Sequence, residues 1–345
     1  MTTLILLALS FVVPAFADSM AETAHLPTAR VLADPGHNEL IIELEPVDLP
    51  AGMSHHALNQ PAVASAVMPV DGAIYGLRAE AVDADGHEVP SQVIHHFNLI
   101  DPDHRELFLP IARRMAAAGP ETGAPKVPWL LFGLPFHQGA QFIASAMLHN
   151  PTATSYAGVR TRLILYYTPA SRPWPIWDAY PWQLDVAFPV GDKSFDLPPG
   201  RSERAYEGSP AVPGKIVAIA GHLHDYGVTI ELTDVTTGEM IWRAAPVRDS
   251  AQRLVGIPIG KLYGWNRLGA HIVPAHRYRV TAIYDNPTGH VIAGGGMGVV
   301  GGLFVPDKGA VWPAADLHDS LYQADLRHAL RLLGDGGAAP QHVHH

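Results

Sequence analysis

The chain has 345 residues, of which 48% are hydrophobic and 16% charged, so it suits a packed globular protein larger than one ordinary core. Its formal charge of −10 argues against nucleic-acid binding, and the absence of cysteine excludes disulfides, thiolate metal sites and cysteine nucleophiles. Histidine is the unusual component, with 20 residues in the chain, several of them in pairs.

An apolar run from Leu4 to Val13 lies at the N-terminus, and Ala15 and Ala17 follow in the A-x-A spacing of a signal-peptidase site. This pattern predicts a signal peptide over residues 1–17 and an exported protein, either periplasmic or secreted. The run is short for a transmembrane span, although an uncleaved anchor is the alternative. No later segment reaches membrane-spanning length without charge, so we expect no integral span after cleavage.

Short strand-like segments recur along the rest of the chain, separated by turn signals such as Asp85-Gly86 and Asn286-Pro287. In the first half they cover residues 39–44, 74–81, 92–100, 141–148 and 162–167. In the second half they cover residues 184–188, 215–222, 228–233, 278–284 and 297–305. We find no internal repeat among them. The pattern predicts an all-β protein with two β-sandwiches.

Two segments have helical character, namely residues 105–118 and, with better leucine spacing, residues 316–333. A segment rich in proline and tryptophan, residues 169–182, is expected to join the two halves. The predicted domains are therefore 28–182 and 183–310, followed at 311–345 by a short C-terminal helix and a disordered tail.

Two pairs of histidines are the main candidates for metal ligands. His95 and His96 are adjacent within a strand-like run, so one ion can use both only if the strand bulges. His222 and His224 are two residues apart, so a strand places both rings on one face, where they form a bidentate platform for a borderline-soft metal. The alternative for His95 and His96 is two surface or half-buried histidines, and the alternative for His222 and His224 is a polar face shared across strands.

Three further residues complete the candidate set. Met297 lies in a glycine-rich stretch and offers a thioether that suits Cu(I), although a lone methionine more often packs in a core. His149 stands where a strand meets a turn, and Met147 lies two residues earlier on the same face. A histidine that caps the turn is the alternative interpretation of His149.

The order of these residues resembles the copper type II, ascorbate-dependent monooxygenases, the family of peptidylglycine α-hydroxylating monooxygenase and dopamine β-monooxygenase. The resemblance covers roughly residues 89–306 and includes His149-Asn150-Pro151, residues 163–168 and Tyr284-Asp285-Asn286. It implies two jelly-roll-like β-sandwich domains, each holding one copper ion. By this resemblance, His95 and His96 belong to an electron-transfer copper, and His222, His224 and Met297 belong to an oxygen-activating, catalytic copper.

The resemblance implies a monooxygenase that hydroxylates a C–H bond of a small organic substrate, with O₂ and a one-electron donor such as ascorbate. The sequence departs from the family in three respects. Met147 competes with His149 for the third position at the first copper, cysteines are absent, and residues 298–301 lack polar groups. Two alternatives therefore stand beside the enzyme: a non-catalytic exported protein that binds or delivers copper, and a sandwich without a metal that binds a sugar or a partner.

Overall fold

A computed structural model describes residues 26–54, 57, 59–119, 124–187, 193–250 and 254–334. The predicted signal peptide and the tail beyond Gly334 lie outside these ranges. The strands of the N-terminal half are β1 (Arg30–Asp34), β2 (Glu39–Glu43), β3 (Val47–Leu49), β4 (Ala64–Val67), β5 (Gly72–Val82), β6 (Glu88–Val89), β7 (Ile94–Arg105), β8 (Ala112–Ala118), β9 (Phe132–Phe136), β10 (Gln141–Leu148), β11 (Tyr156–Pro169) and β12 (Trp177–Asp178).

The C-terminal half continues with strands of the same kind and ends in one α-helix. Its elements are β13 (Tyr180–Asp185), β14 (Phe195–Leu197), β15 (Gly200–Gly208), β16 (Gly214–Leu223), β17 (Gly227–Asp234), β18 (Glu239–Ala244), β19 (Val247–Arg248), β20 (Leu254–Gly256), β21 (Gly260–Lys261), β22 (Tyr263–Gly264), β23 (Arg267–Leu268), β24 (Ala270–Ile272), β25 (Tyr278–Asn286), β26 (Ile292–Gly296), β27 (Gly298–Pro306) and α1 (Ser320–Gly334).

The N-terminal half is a sandwich of two sheets. One sheet has the order β1-β2-β11-β5-β9-β12, with β3 on β11 and β6 on β5, and the other has the order β4-β10-β7-β8. Alternating apolar residues of the two inner faces meet in one core, which contains Leu40, Ile42, Phe97, Leu148 and Leu163. Burial of these side chains is the main source of stability in this half.

The C-terminal half repeats this plan with the sheets β13-β27-β16-β21 and β15-β25-β17-β18. Its core includes Ile219, Ile230, Tyr278, Tyr284 and Phe304. In the described ranges, each ladder joins strands of β1–β12 to one another or strands of β13–β27 to one another. The predicted all-β class with jelly-roll-like sandwiches is confirmed, and so is the short C-terminal helix.

The prediction of a helix over residues 105–118 is wrong. The chain turns at residues 106–111 and returns as β8, which pairs with β7. Leu107, Phe108, Leu109 and Ile111 pack in the core of the C-terminal half, where the Phe108 ring lies 5.5 Å from the ring of Trp182. Burial in a distant core outweighs the helix propensity of the alanines and arginines in this segment.

Helix α1 returns to the N-terminal half. Tyr322 and Leu326 are fully buried against Ile100, Ala112 and Ile143 of the smaller sheet. Arg114 also makes a bidentate ion pair of 2.7 Å with Asp325. The C-terminal segment therefore fastens the outer face of the first sandwich. Within the described ranges, no helix has the length and apolar content needed to cross a membrane.

An internal repeat, which the sequence interpretation missed, relates the two halves. Residues 48–52 read Asp-Leu-Pro-Ala-Gly and residues 196–200 read Asp-Leu-Pro-Pro-Gly. Asn-Pro-Thr recurs at residues 150–152 and 286–288, and each copy is followed by Ala-Gly, at 157–158 and 293–294. Because the pieces lie far apart in the chain, the repeat is recognised only when the fold brings them together.

The repeated residues form the same corner in each half. Asn150 donates to the carbonyls of Leu49 (3.0 Å) and Thr154 (2.8 Å), and Thr152 donates to it through both its amide and its hydroxyl group. Asn286 repeats these bonds with Leu197, His290 and Thr288.

A second bond of the corner also repeats. Asp48 accepts from the amide of Gly158 (φ 58°), and Asp196 accepts from the amide of Gly294 (φ 60°). Both glycines have the left-handed conformation that other residues rarely adopt. Each half therefore uses one device to fasten the end of a strand to the neighbouring sheet.

Candidate metal centres

The first candidate centre, which we call the N-terminal cluster, consists of His95, His96 and His149. The ladder of β10 and β7 pairs Met147 with His96 and Leu148 with Ile94, so His95 is the extra residue of a β-bulge. Ile94 and Phe97 are both buried, although a regular strand would point them to opposite faces. The bulge therefore turns both histidines away from the core.

The bulge brings the three imidazole rings of the N-terminal cluster together. The ring centroid of His95 lies 4.1 Å from that of His96 and 5.5 Å from that of His149. His95 and His149 are half-buried, and His96 is exposed. This is the strand bulge that a shared metal ion at His95 and His96 requires.

The hydrogen bonds of His149 fix which ring nitrogen carries the proton. Its Nε2 atom bonds to the carbonyl oxygen of Gln92, and its backbone amide donates to the carbonyl of Val93 (2.9 Å). Because a carbonyl can only accept, Nε2 carries the hydrogen, and Nδ1 of the neutral ring keeps its lone pair. A backbone carbonyl that orients a ring in this way is typical of histidines that bind metals.

Met147 occupies a neighbouring position. It pairs directly with His96 across the ladder, so the two side chains share one face of the sheet. The thioether of Met147 therefore lies near the N-terminal cluster. The ring next to that of His95, however, is the ring of His149. His149 is therefore the better candidate for the third ligand beside His95 and His96, and Met147 is a candidate for a fourth.

The second candidate centre, which we call the C-terminal cluster, consists of His222, His224 and Met297. His222 pairs with Val299 and Leu223 pairs with Gly298, and His224 and Met297 lie directly beyond this last pair, next to the ends of β16 and β27. Continuing the alternation by one residue on each strand places the three side chains on one face. The ring centroids of His222 and His224 are 5.4 Å apart.

Tyr284 holds the backbone of the C-terminal cluster in place. Its hydroxyl accepts hydrogen bonds from the amides of His224 (3.1 Å) and Met297 (2.9 Å) and donates to the carbonyl of Met297. The tyrosine is fully buried, and burial raises the pKa of its phenol. One neutral side chain thus connects the two strand ends that present the ligands.

The donor sets of both clusters fit copper. Imidazole binds both oxidation states, and a thioether favours Cu(I). In the described part of the chain, only Asp83, Asp85 and His87 bring three carboxylate or imidazole donor atoms within 4.8 Å of one another. The ring nitrogens of the N-terminal cluster therefore stand farther apart than they would around a bound ion.

The Asp83, Asp85 and His87 group lies in the turn between β5 and β6. Asp83 accepts hydrogen bonds from the amides of Asp85 (3.0 Å) and His87 (2.9 Å), and the bond from His87 is the main cause of the lowered pKa of its carboxyl. Hydrogen bonds of this kind are typical of an aspartate that stabilises a turn, so they account for the grouping without a metal ion.

Sequence reasoning missed two residues that orient the candidate ligands. The role of Gln92 depends on its backbone carbonyl, which carries no signal of residue type. Tyr284 was noted only as part of a resemblance, although a tyrosine at the end of a buried strand often needs a hydrogen-bond partner. That requirement is the one signal in the sequence that points to its role.

Comparisons with known proteins give no family for this chain. No family model matches it, and neither does any curated protein. Among solved structures, the STIV MCP matches with a TM-score of 0.37 and 10% identity, over 83% of this chain and 97% of the other. PNGF-II matches with a TM-score of 0.32 and 9% identity, over 82% of this chain and 62% of the other. A structure of the infectious bursal disease virus Gx strain matches with a TM-score of 0.25 and 9% identity, over 82% of this chain and 72% of the other.

These comparisons correct the function predicted from the sequence. The matched structures are mainly viral capsid proteins, and none of those named above is a copper monooxygenase. The predictions of a copper-dependent monooxygenase, of an oxidoreductase and of a copper-delivery protein are therefore wrong. The physical reason is that a jelly-roll-like sandwich is a scaffold that serves many unrelated functions. The prediction inferred a reaction from the order of the candidate ligands along the chain, and that order does not specify a reaction.

Proposed function

We propose that this chain is a structural β-sandwich protein in which the N-terminal and C-terminal clusters bind metal ions that brace the ends of strands. Copper is the ion that the donor sets favour. The observation that carries the proposal is the bulge at His95, since it turns two adjacent histidines to one side and brings the ring of His95 near that of His149. The proposal concerns binding and stability, and it includes no reaction.

The three imidazoles of the N-terminal cluster come from two separate segments. His95 and His96 lie on β7, whereas His149 follows β10 at the repeated corner. A bound ion would cross-link these segments where the ladder is interrupted and hydrogen bonds are fewer. The ion supplies coordination bonds to lone pairs that the hydrogen bond to Gln92 has already oriented.

Binding only to the folded state would raise stability by mass action. At a free ion concentration about 100 times Kd, the expected gain is about 2.7 kcal/mol. The experiment is an anaerobic titration of the metal-free full chain with Cu(I), and separately with Cu(II) and Zn(II), with metal counting and thermal unfolding. We expect saturable binding of copper and a rise in Tm that saturates with it.

Variants assign the ions to the clusters. We expect His95→Ala and His149→Ala to lose one bound copper ion, whereas Met147→Leu keeps it, because the orienting hydrogen bond belongs to His149. His222→Ala is expected to lose the second ion only.

The control is His137→Ala, since His137 is exposed and lies outside both clusters. All the variants should also carry His342→Ala, His344→Ala and His345→Ala, which removes the histidines of the tail as competitors. Copper stoichiometry that is the same in the cluster variants and the control would contradict the proposal.

A further inference from the structure

A cleft lies on the seam between the two halves. Its volume is about 620 Å³, within the range of small-molecule sites. One wall comes from Ile176, Trp177, Asp178 and Tyr180, and the other from Lys215, Leu268, residues 305–308 and Ala310. Lys215 and His222 lie seven residues apart on β16, so the cleft is about 23 Å from the C-terminal cluster.

The aromatic side chains of the cleft are held rigidly. Trp177 stacks on Phe132 with ring centroids 5.6 Å apart, and Tyr180 lies 5.4 Å from the ring of Trp312 and 5.0 Å from the guanidinium of Arg113. Ile176 extends this apolar wall and leaves 53% of its surface exposed. Rigid, flat surfaces lose little conformational entropy when a ligand packs on them.

The charged groups of the cleft are balanced. Lys215 and His271 both bind Asp307, at 2.7 and 2.8 Å. Asp178 is exposed, and in the described part of the chain its carboxylate makes no hydrogen bond or ion pair. The apolar walls beside it raise its pKa by desolvation. Asp178 and Asp307 offset Lys215 and Lys308, so the lining carries no net charge to attract an ion.

We propose that the cleft binds a neutral carbohydrate, with one apolar sugar face against the aromatic wall and the hydroxyls of its edge donating to Asp178. The ring of a sugar has an apolar face and a rim of hydroxyl groups, which matches flat aromatic walls next to an unused acceptor. The two oxygens of a carboxylate accept paired hydroxyl donors, and charge-assisted bonds of this kind are about twice as strong as neutral ones. A charged ligand would gain no electrostatic attraction from a balanced lining.

The experiment titrates the full chain with four neutral disaccharides, namely maltose, cellobiose, lactose and N,N′-diacetylchitobiose, in the presence of EDTA. Calorimetry measures binding, and the difference in tryptophan fluorescence between the unchanged chain and Trp177→Phe reports on Trp177, one of seven tryptophans in the chain. We expect saturable binding of at least one disaccharide. We expect Asp178→Ala to weaken that binding about tenfold, because the variant loses a charge-assisted hydrogen bond.

Glu203→Ala is the matched control, since Glu203 is an exposed carboxylate on β15 outside the cleft. It should bind the sugar like the unchanged chain, and circular dichroism should show both variants folded. A Trp177→Phe variant tests the wall independently and should also bind more weakly. Absence of binding to all four disaccharides, or equal affinity in Asp178→Ala and Glu203→Ala, would overturn the proposal.

Discussion

Tyr284 shows how a single buried side chain can define a candidate site without being a ligand. Its hydroxyl bonds to the backbone of His224, which follows β16, and of Met297, which precedes β27. Both hydrogen bonds are partly buried, and a donor left without a partner in such a place is costly. The positions of the candidate ligands therefore depend on a residue that contacts only their backbone.

We expect Tyr284→Phe to lower the free energy of unfolding by about 1–3 kcal/mol, because it leaves two backbone donors unsatisfied. If the C-terminal cluster binds copper, its affinity should fall by about 10–100-fold, since the strand ends lose their shared anchor. Urea denaturation and copper titration measure the two effects.

The matched control is Tyr156→Phe, because Tyr156 is half-buried on β11 and its hydroxyl makes no hydrogen bond with the described residues. It should change stability and copper affinity little. Equal behaviour of the two variants would show that the Tyr284 hydroxyl has no positioning role.

The histidine pairs could be identified from the sequence alone. The direction in which the backbone points their side chains could not. His95 and His96 were candidates only on the condition that the strand bulges, and nothing in their neighbours specifies a bulge. The bulge arises because Ile94 and Phe97 are both drawn into the core. That choice depends on the opposite sheet, which lies far away in the sequence.

At the scale of elements, the repeated corner is the main fastening device of each half. Asn150 and Asn286 are both buried, and each makes hydrogen bonds to backbone groups of two neighbouring segments. A side-chain amide suits this position because it both donates and accepts. The two corners should therefore respond alike to the same substitution.

We expect Asn150→Ala and Asn286→Ala each to lower the free energy of unfolding by about 2–4 kcal/mol, because several buried polar groups lose their partner at once. Urea denaturation followed by circular dichroism measures this loss. Asn266→Ala is the control, since Asn266 is an exposed turn residue. A loss at one corner only would show that the two devices are not energetically equivalent.

Strands with alternating apolar residues were predictable, and so was the leucine-spaced helix near the C-terminus. Residues 105–118 were not, because local propensity favours a helix there while four apolar side chains at 107–111 pack in a core formed by later residues. The repeat was overlooked for a related reason. Its pieces are short and become similar only when Asp48 and Gly158 are seen to form the same bond as Asp196 and Gly294.

At the scale of the whole molecule, the two halves meet in a joint that contains buried charge. Glu106 is fully buried and accepts a hydrogen bond from the amide of Leu107 through one oxygen, while its other oxygen has no partner in the described ranges. Burial raises the pKa of its carboxyl to about 7, although Arg113 and Arg114 oppose the shift. The guanidinium of Arg113 itself lies against both Tyr180 and Trp312, 5.0 and 4.6 Å from their ring centroids.

This joint should make stability depend on pH. Below a pH of about 4.5, Glu106 is protonated in both the folded and the unfolded chain. As pH rises from there to about 7, the unfolded chain releases the proton while the folded chain keeps it. The contribution of Glu106 is therefore lost across this interval, by about 3 kcal/mol in total.

Urea denaturation at pH 5 and pH 8 measures this loss, and Glu106→Gln provides the comparison. Glutamine keeps an acceptor for Leu107 and cannot ionise, so the variant should lose less stability than the unchanged chain when pH is raised. Asp185, which is also buried with a raised pKa, should leave a smaller dependence of the same sign. An identical pH dependence in both proteins would contradict the assignment to Glu106.

The packing of residues 107–111 in the C-terminal core also affects how the protein is made. These residues pack in the same core as Phe304, which follows roughly 190 residues later in the chain. They therefore leave the ribosome long before Phe304 does. At typical rates of synthesis this delay lasts about 10–40 s. During that time the first sandwich can form its sheets, yet Phe108 and its neighbours stay uncovered. The nascent chain therefore exposes an aggregation-prone apolar segment at residues 107–111. Correct folding depends on shielding that segment until the second half has been synthesised.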